Sequence, residues 1–450
     1  MIKNSPSEDL SKSIDQNSFN YTNEGKVQPG HSVYYAGSYV KKDFQNMFEV
    51  FGDALFFPLF DEYAFEQESV HLDLDENGMP FLNGIIYNEQ KYKDKTDILL
   101  FNTLREAGFN DSALKTCENN YLKLPELTYS HFKEYYKKYY VPSNCYLFLY
   151  GPDSLEEQLD FIEEKLLSKL PDYTPAPIIT VDFKDITKTI FTTSTLFSQE
   201  EQKDEYLFAI RARRNPNNPR DDSILYNSLL LLIEDTNKFS INAFLNKANV
   251  GSEIASEIIC LPYCYLLTIN IKKPEIDDSA KIEEIINNCI EKAVKKQFSK
   301  ELVDDYYDRI YFSEEDSPNN ECMHEMDFYE AIDVGFFYGD PFLFFDDDEA
   351  VIRLKEDLIS GNYAEFLEQN LIMNTERALV TIKHDTSYKE KRAKLEAEIV
   401  NNLYSKTTND EILNKIKQAE ILQNEKCKQT YYPAFDWEEV KGNEDKISRK

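Results

Sequence analysis

Residues 83–95 read NGIIYNEQKYKDK, and the acid in the middle of this stretch governs how the rest of the chain is read. Gly84-Ile85-Ile86-Tyr87 is an apolar burst with the look of a short strand over Ile85–Tyr87. It runs straight into Asn88-Glu89-Gln90. A carboxylate at the end of a buried strand is costly unless something pairs with it. Glu89 is therefore the first candidate functional residue. The plainer alternative is a solvated side chain, or one paired with Lys91 or Lys93.

Outward from that stretch, strands and helices follow in the same order twice. Upstream, Asp43–Phe57 places apolar residues at helical spacing, and Pro58 marks its end. Downstream, Leu127–Tyr140 predicts an aromatic helix with Thr128 as an acceptable N-cap. A VPSN turn follows, then a buried strand over Cys145–Tyr150 and an amphipathic helix over Leu155–Leu170. Residues 171–179 are proline-rich and predict an extended linker. A second set of elements comes next: a strand at Tyr206–Ile210, a buried helix at Ser223–Ile233, an alternating strand at Tyr265–Ile271, helices at Ile282–Lys296 and Lys300–Phe312, and a late strand at Ala378–Ile382. Residues 387–404 are charged and helical. Thr408 and Glu411 then form a capping box for a second helix, so the two make a helical hairpin. The pattern is α+β, in two units of similar design.

The chain has 450 residues, enough for two or three domains, and 42% are hydrophobic, a globular composition. Acidic residues number 82 against 50 basic, a formal net charge of −32, which disfavours nucleic acid and anionic membrane as partners. That charge suits a cationic or mixed ligand such as a peptide, and it equally suits solubility alone. No run approaches the roughly 20 apolar residues of a membrane span, and no charged-then-apolar signal pattern opens the chain. The seven cysteines are scattered and odd in number, as for thiols in a reducing compartment. An intracellular, cytoplasmic protein is the expectation.

In chain order the segments FFPLF (56–60), FEQESVHLDLDENG (65–78), GIIYNEQK (84–91) and LTYSHFKEYYKKYYVPSNCYLFLYG (127–151) resemble the presequence-protease branch of the pitrilysin/insulinase metallopeptidases. ERALVTIKHD (376–385) followed by SYKEKRAKLEAE (387–398) resembles a later passage of that branch, so the likeness covers roughly residues 31–430. The resemblance implies a clamshell of α+β repeats, two in each half, joined by a helical hairpin. It also implies a zinc ion in the first repeat, held by the two histidines of H-x-x-E-H, whose glutamate is the general base. A third ligand lies in a segment like NE-(M/Q)-K, which by residue match is Glu89.

The domain reading that follows is a polar leader over 1–30, an incomplete first repeat over 31–170, a linker over 171–182, a second repeat over 183–385, a hairpin over 386–430 and a polar tail over 431–450. By that resemblance the chain looks like an amino-terminal half, with residues 1–30 standing where the zinc helix is expected. Its five histidines, His31, His71, His131, His324 and His384, never fall in H-x-x-E-H or H-E-x-x-H. His71 matches a structural segment of the family. One carboxylate does not hold a catalytic zinc, which needs three protein ligands and an open position. Zinc is thus the family's cofactor, with none expected on this chain alone, and no catalytic residue is assigned. Glu89 is a vestige, or a third ligand in a composite site. The partners expected are unstructured peptides or a complementary metallopeptidase half. Three readings follow: a member inactive alone that keeps a peptide- or partner-binding surface, a subunit of a split endopeptidase, and a truncated remnant.

Other constellations read more plainly. Glu321-Cys322-Met323-His324-Glu325 is expected to be surface, because Cys322 and His324 are two apart. Asp346–Glu349 lacks the spacing of a calcium loop and suits a helix start. Arg211, Arg213, Arg214 and Arg220 could grip an acidic peptide, but internal ion pairing is the expectation in so acidic a chain.

Overall fold

A computed structural model describes residues 14, 18–28, 31–92, 121–149, 151, 153–170, 172–175, 189–196, 205–215, 218–261, 264–315, 348–384 and 387–426. They fall into two compact units. The first comprises the described residues within 1–94, 116–180 and 391–450, and the second those within 181–390. Among them no helix is long and apolar enough to cross a membrane.

The first unit opens with an antiparallel pair, β1 (Asn20–Gln28) and β2 (His31–Ser38). Residues 20–28 were expected to belong to a loose leader and instead form a strand. A polar segment joins a ladder when its backbone groups find a neighbour, and here β2 is that neighbour from Asn20↔Ser38 to Gln28↔His31. Helix α1 (Lys41–Phe56) follows, burying Met47 and Val50 against Ile14. Next come α2 (Glu62–Glu68), a second antiparallel pair β3 (His71–Leu74) and β4 (Pro80–Asn83), and α3 (Ile85–Tyr92). Helix α4 (Tyr129–Tyr139) starts where expected, with the His131 amide donating to Thr128 Oγ1 at 3.2 Å. Helix α5 (Leu155–Lys165) carries a full capping box between Ser154 and Glu157.

The segment 145–150 was expected to be a buried strand. Cys145 is extended, with φ −126° and ψ 131°, yet residues 145–149 form no strand, and Tyr146 and Leu147 are exposed. An apolar hexapeptide becomes a strand only where another strand offers a ladder. Among the described residues of this unit the ladders are β1–β2 and β3–β4 alone. Residues 172–175 of the expected linker carry no regular structure, and the rest of it lies outside the described residues.

The second unit holds a five-stranded sheet in the order β5-β9-β6-β8-β7: β5 (Thr189–Leu196), β6 (Glu205–Arg213), β7 (Gly251–Leu261), β8 (Cys264–Pro274) and β9 (Arg377–His384). β5 runs parallel to β9, and the other pairs are antiparallel. Every residue of central β6 except Arg213 is buried, so both of its faces are covered. Tyr206, Phe208 and Ile210 alternate onto one face with Tyr265, Leu267 and Ile269 of β8. Against that face pack α6 (Pro219–Ile233), α7 (Ile241–Ala248), α8 (Ser279–Val294), α9 (Lys300–Glu315), α10 (Asp348–Ser360) and the short α11 (Ala364–Leu367). Asn218, Ser240 and Asp278 cap α6, α7 and α8, each accepting backbone N–H groups of the first turn.

The chain ends its described part in α12 (Tyr388–Tyr404) and α13 (Asn409–Lys426). The expected capping box is present: the Glu411 amide donates to Thr408 Oγ1 at 3.3 Å, and the Thr408 amide to Glu411 Oε2 at 2.9 Å. From Lys391 onward this hairpin belongs to the first unit, where Lys415 of α13 pairs with Glu66 of α2 at 2.6 Å. The architecture is α+β, with a helical hairpin after the second sheet.

Candidate functional site

The Glu89 neighbourhood is built from α2 to α3. Asp61 caps α2, its carboxylate accepting from the Tyr63 and Ala64 amides. His71 at the start of β3 turns its Nδ1 back to the Glu66 carbonyl at 3.0 Å, a structural contact that ties the strand to α2. The β3–β4 turn is closed by Asp75, which accepts from the Asn77 and Met79 amides; the Met79 bond first, and that from Asn77, hold its carboxyl below the usual range.

Ile85–Tyr87 is the first turn of helix α3 and not the expected strand. The cause lies at Asn83-Gly84. Gly84 has φ +152°, and a Cβ there would sit 2.5 Å from the Ser69 carbonyl oxygen. That carbonyl accepts the Tyr87 amide at 3.2 Å, while Asn83 Oδ1 accepts from the Gly84 amide and from Asn88 Nδ2. The chain therefore leaves β4 sharply and winds. The Asn-Gly pair was the signal that could have shown it.

Winding changes the meaning of Glu89. Side chains three, four and seven apart share one helix face, which groups Ile85 and Ile86 with Glu89 and Tyr92. All four are exposed, Ile85 at 59% and Tyr92 at 72%. Tyr87 and Lys91 occupy the opposite face. Tyr87 is fully buried, stacked edge-on against Tyr121, and its hydroxyl donates to Glu396 Oε1 at 2.8 Å. Lys91 Nζ reaches the same oxygen at 2.6 Å, so it pairs with the hairpin. Burial first, then the Glu396 hydrogen bond, pushes the Tyr87 phenol well above the ordinary tyrosine range.

Among the described residues no three His, Cys, Asp or Glu side chains gather where a metal ion could be held. A zinc ion needs such a set, so the donors around Glu89 do not fit one by themselves. The segment 321–325 lies outside the described residues, as do Asp346 and Asp347. Asp348 and Glu349 begin α10 as an acidic helix start.

The arginines are engaged in ion pairs within the chain, with the side chains of Arg211 and Arg214 buried and those of Arg213 and Arg220 exposed. Arg211, only 2% exposed, and Arg213 both bond Glu376, from Arg211 Nε at 2.6 Å and Arg213 Nε at 2.9 Å. Arg214 pairs with Asp222 at 3.0 Å, and Arg220 forks onto Asp357 at 2.7 and 2.8 Å. Asp222 also accepts from the Tyr265 hydroxyl at 2.8 Å. These pairs tie β6 and α6 to the start of β9 and to α10.

Comparison with known proteins finds likenesses to one peptidase family. Residues 126–309 match the family described as peptidase M16 inactive domain. Protein HypA of Clostridium perfringens is 24% identical over 445 residues, covering 93% of this chain and 44% of that protein. Presequence protease 1 of Arabidopsis thaliana is 22% identical over 427 residues, covering 88% of this chain and 38% of that protein. The chain thus spans less than half the length of these relatives. Its fold is similar to the crystal structure of the first half of the periplasmic protease PqqL from Escherichia coli, with TM-score 0.56, 13% identity, and coverage of 92% of this chain and 82% of that one. The ordered segments, the α+β architecture with its hairpin, and these likenesses agree: the chain is similar to the pitrilysin/insulinase-type M16 peptidases, and its residues 126–309 match that family's inactive domain.

Proposed function

We propose that this chain is a peptidase-family member without catalytic competence of its own, which keeps a docking surface for unstructured peptide or for a complementary peptidase half. One observation carries the reading: α3 presents Ile85, Ile86 and Tyr92 outward around the Glu89 carboxylate, and no set of metal ligands gathers there among the described residues. Exposed apolar side chains set around one charged group mark a place for a partner. The absence of H-x-x-E-H from all 450 residues agrees with it. Fluorescence anisotropy with labelled unstructured peptides tests it: binding without cleavage, weakened at least tenfold by Ile86→Asp, is the expected result. A chain that binds neither peptide nor a complementary half would sink the proposal.

A split endopeptidase is the second reading, favoured by the outward aim of Glu89. A separate segment bearing H-x-x-E-H would supply the two histidines and the base, and Glu89 would be the third ligand. Adding such a segment with zinc should then create hydrolysis that Glu89→Gln removes.

A further inference from the structure

We infer that Glu396, on the hairpin helix α12, is the positioning residue for Glu89. One carboxylate oxygen of Glu396 takes both the Tyr87 hydroxyl at 2.8 Å and Lys91 Nζ at 2.6 Å, and these two residues flank Glu89 in sequence. They are four apart and share the helix face opposite Glu89, at about 100° per residue. The grip therefore sets the rotation of α3 and keeps Ile85, Ile86 and Glu89 outward. A second contact steadies the same helix. Arg392, one turn before Glu396, lies 4.7 Å over the Tyr121 ring, which is edge-on to Tyr87. Ile399, Val400 and Leu403 of α12 pack on the same small cluster of Leu82, Tyr87, Tyr121 and Leu122.

Intrinsic stability cannot do this work. Helix α3 has eight residues and buries only Tyr87, and helices below about 12 residues are marginal in water. With so narrow a buried stripe, a polar clamp decides which face looks out. The hairpin thereby controls the surface that a peptide or complementary half would meet. That functional consequence rests on the docking role proposed above, whereas the clamp itself does not.

Hydrogen exchange on the full chain separates the two. Glu396→Ala should lower protection of the 85–92 amides by about tenfold to a hundredfold, the scale of a hydrogen bond to a charged group, and leave β6 and β8 unchanged. Glu396→Gln keeps an acceptor for Tyr87 and should cost less. Tyr87→Phe added to Glu396→Ala should change little more, because the partner is already gone. Unchanged protection at 85–92 would overturn the clamp, as would a loss shared equally by β6 and β8 or additive effects of the two substitutions. Peptide binding is read in parallel. Weakening by Glu396→Ala supports the positioning role. Wild-type binding that Glu396→Ala leaves intact overturns it. A wild type that binds nothing removes the docking role and leaves the clamp to be judged by exchange.

Discussion

The two units solve the same problem with different means. The second closes a five-stranded sheet and lays helices on it, so that Phe208, Ile210, Leu229, Leu267 and Ile286 share one core. Among its described residues, the first unit has two separate strand pairs and small apolar clusters, one of them only Ile14, Met47 and Val50. A two-stranded pair is marginal by itself in water. The first unit relies instead on joints: the Asn83-Gly84 turn, the Asp61 cap and the Glu396 clamp. A core makes a unit self-sufficient, whereas joints make it dependent on what lies next to it.

The largest expected effect breaks the core side of that comparison. Phe208→Ala should destabilise the second unit by about 3–5 kcal/mol, and Met47→Ala the first by about 2 kcal/mol, read from urea transitions of the full chain. Glu376→Ala should cost the second unit about 3 kcal/mol, because Arg211 would keep a buried charge stripped of its carboxylate.

The joints of the first unit come next. Gly84→Ala should cost about 2 kcal/mol, from the positive φ and the encounter with the Ser69 carbonyl together. The loss should appear as faster amide exchange at 85–92, with β8 unchanged. A smaller effect sharpens the electrostatic contrast. The Arg220 guanidinium holds the Asp357 carboxyl below the ordinary carboxylate range, helped by Asn362 and opposed by burial. A group depressed in the folded state stabilises above its unfolded pKa of about 3.9, and that contribution is lost as pH falls through the folded value. Asp357→Asn should therefore flatten the acid limb of the second unit's stability curve below about pH 4.

The sequence made the second unit legible because its core positions repeat at clean periods. YLFAI and YLLTINI alternate, and SILYNSLLLLI is too apolar for a surface helix. The first unit was harder for a physical reason. CYLFLY has strand composition, but strand formation depends on a neighbour that composition does not show. Ile85–Tyr87 was read by its apolar residues, while the Asn83-Gly84 turn before it decided the outcome. At the candidate site, Glu89 was found by residue match to a family segment. The Glu396 grip that sets its outward aim joins residues far apart in the chain, Lys91 and Tyr87 being 305 and 309 positions from Glu396, and no local pattern signals such a pairing.

The smallest stability effect bears on the central claim. Glu89 is exposed, so Glu89→Gln should shift the stability of the chain by less than about 0.5 kcal/mol. The most direct test is the zinc content of the purified chain, measured together with cleavage of unstructured peptides. The expected result is no stoichiometric zinc and no hydrolysis by the chain alone. One zinc per chain with hydrolysis that Glu89→Gln abolishes would contradict it.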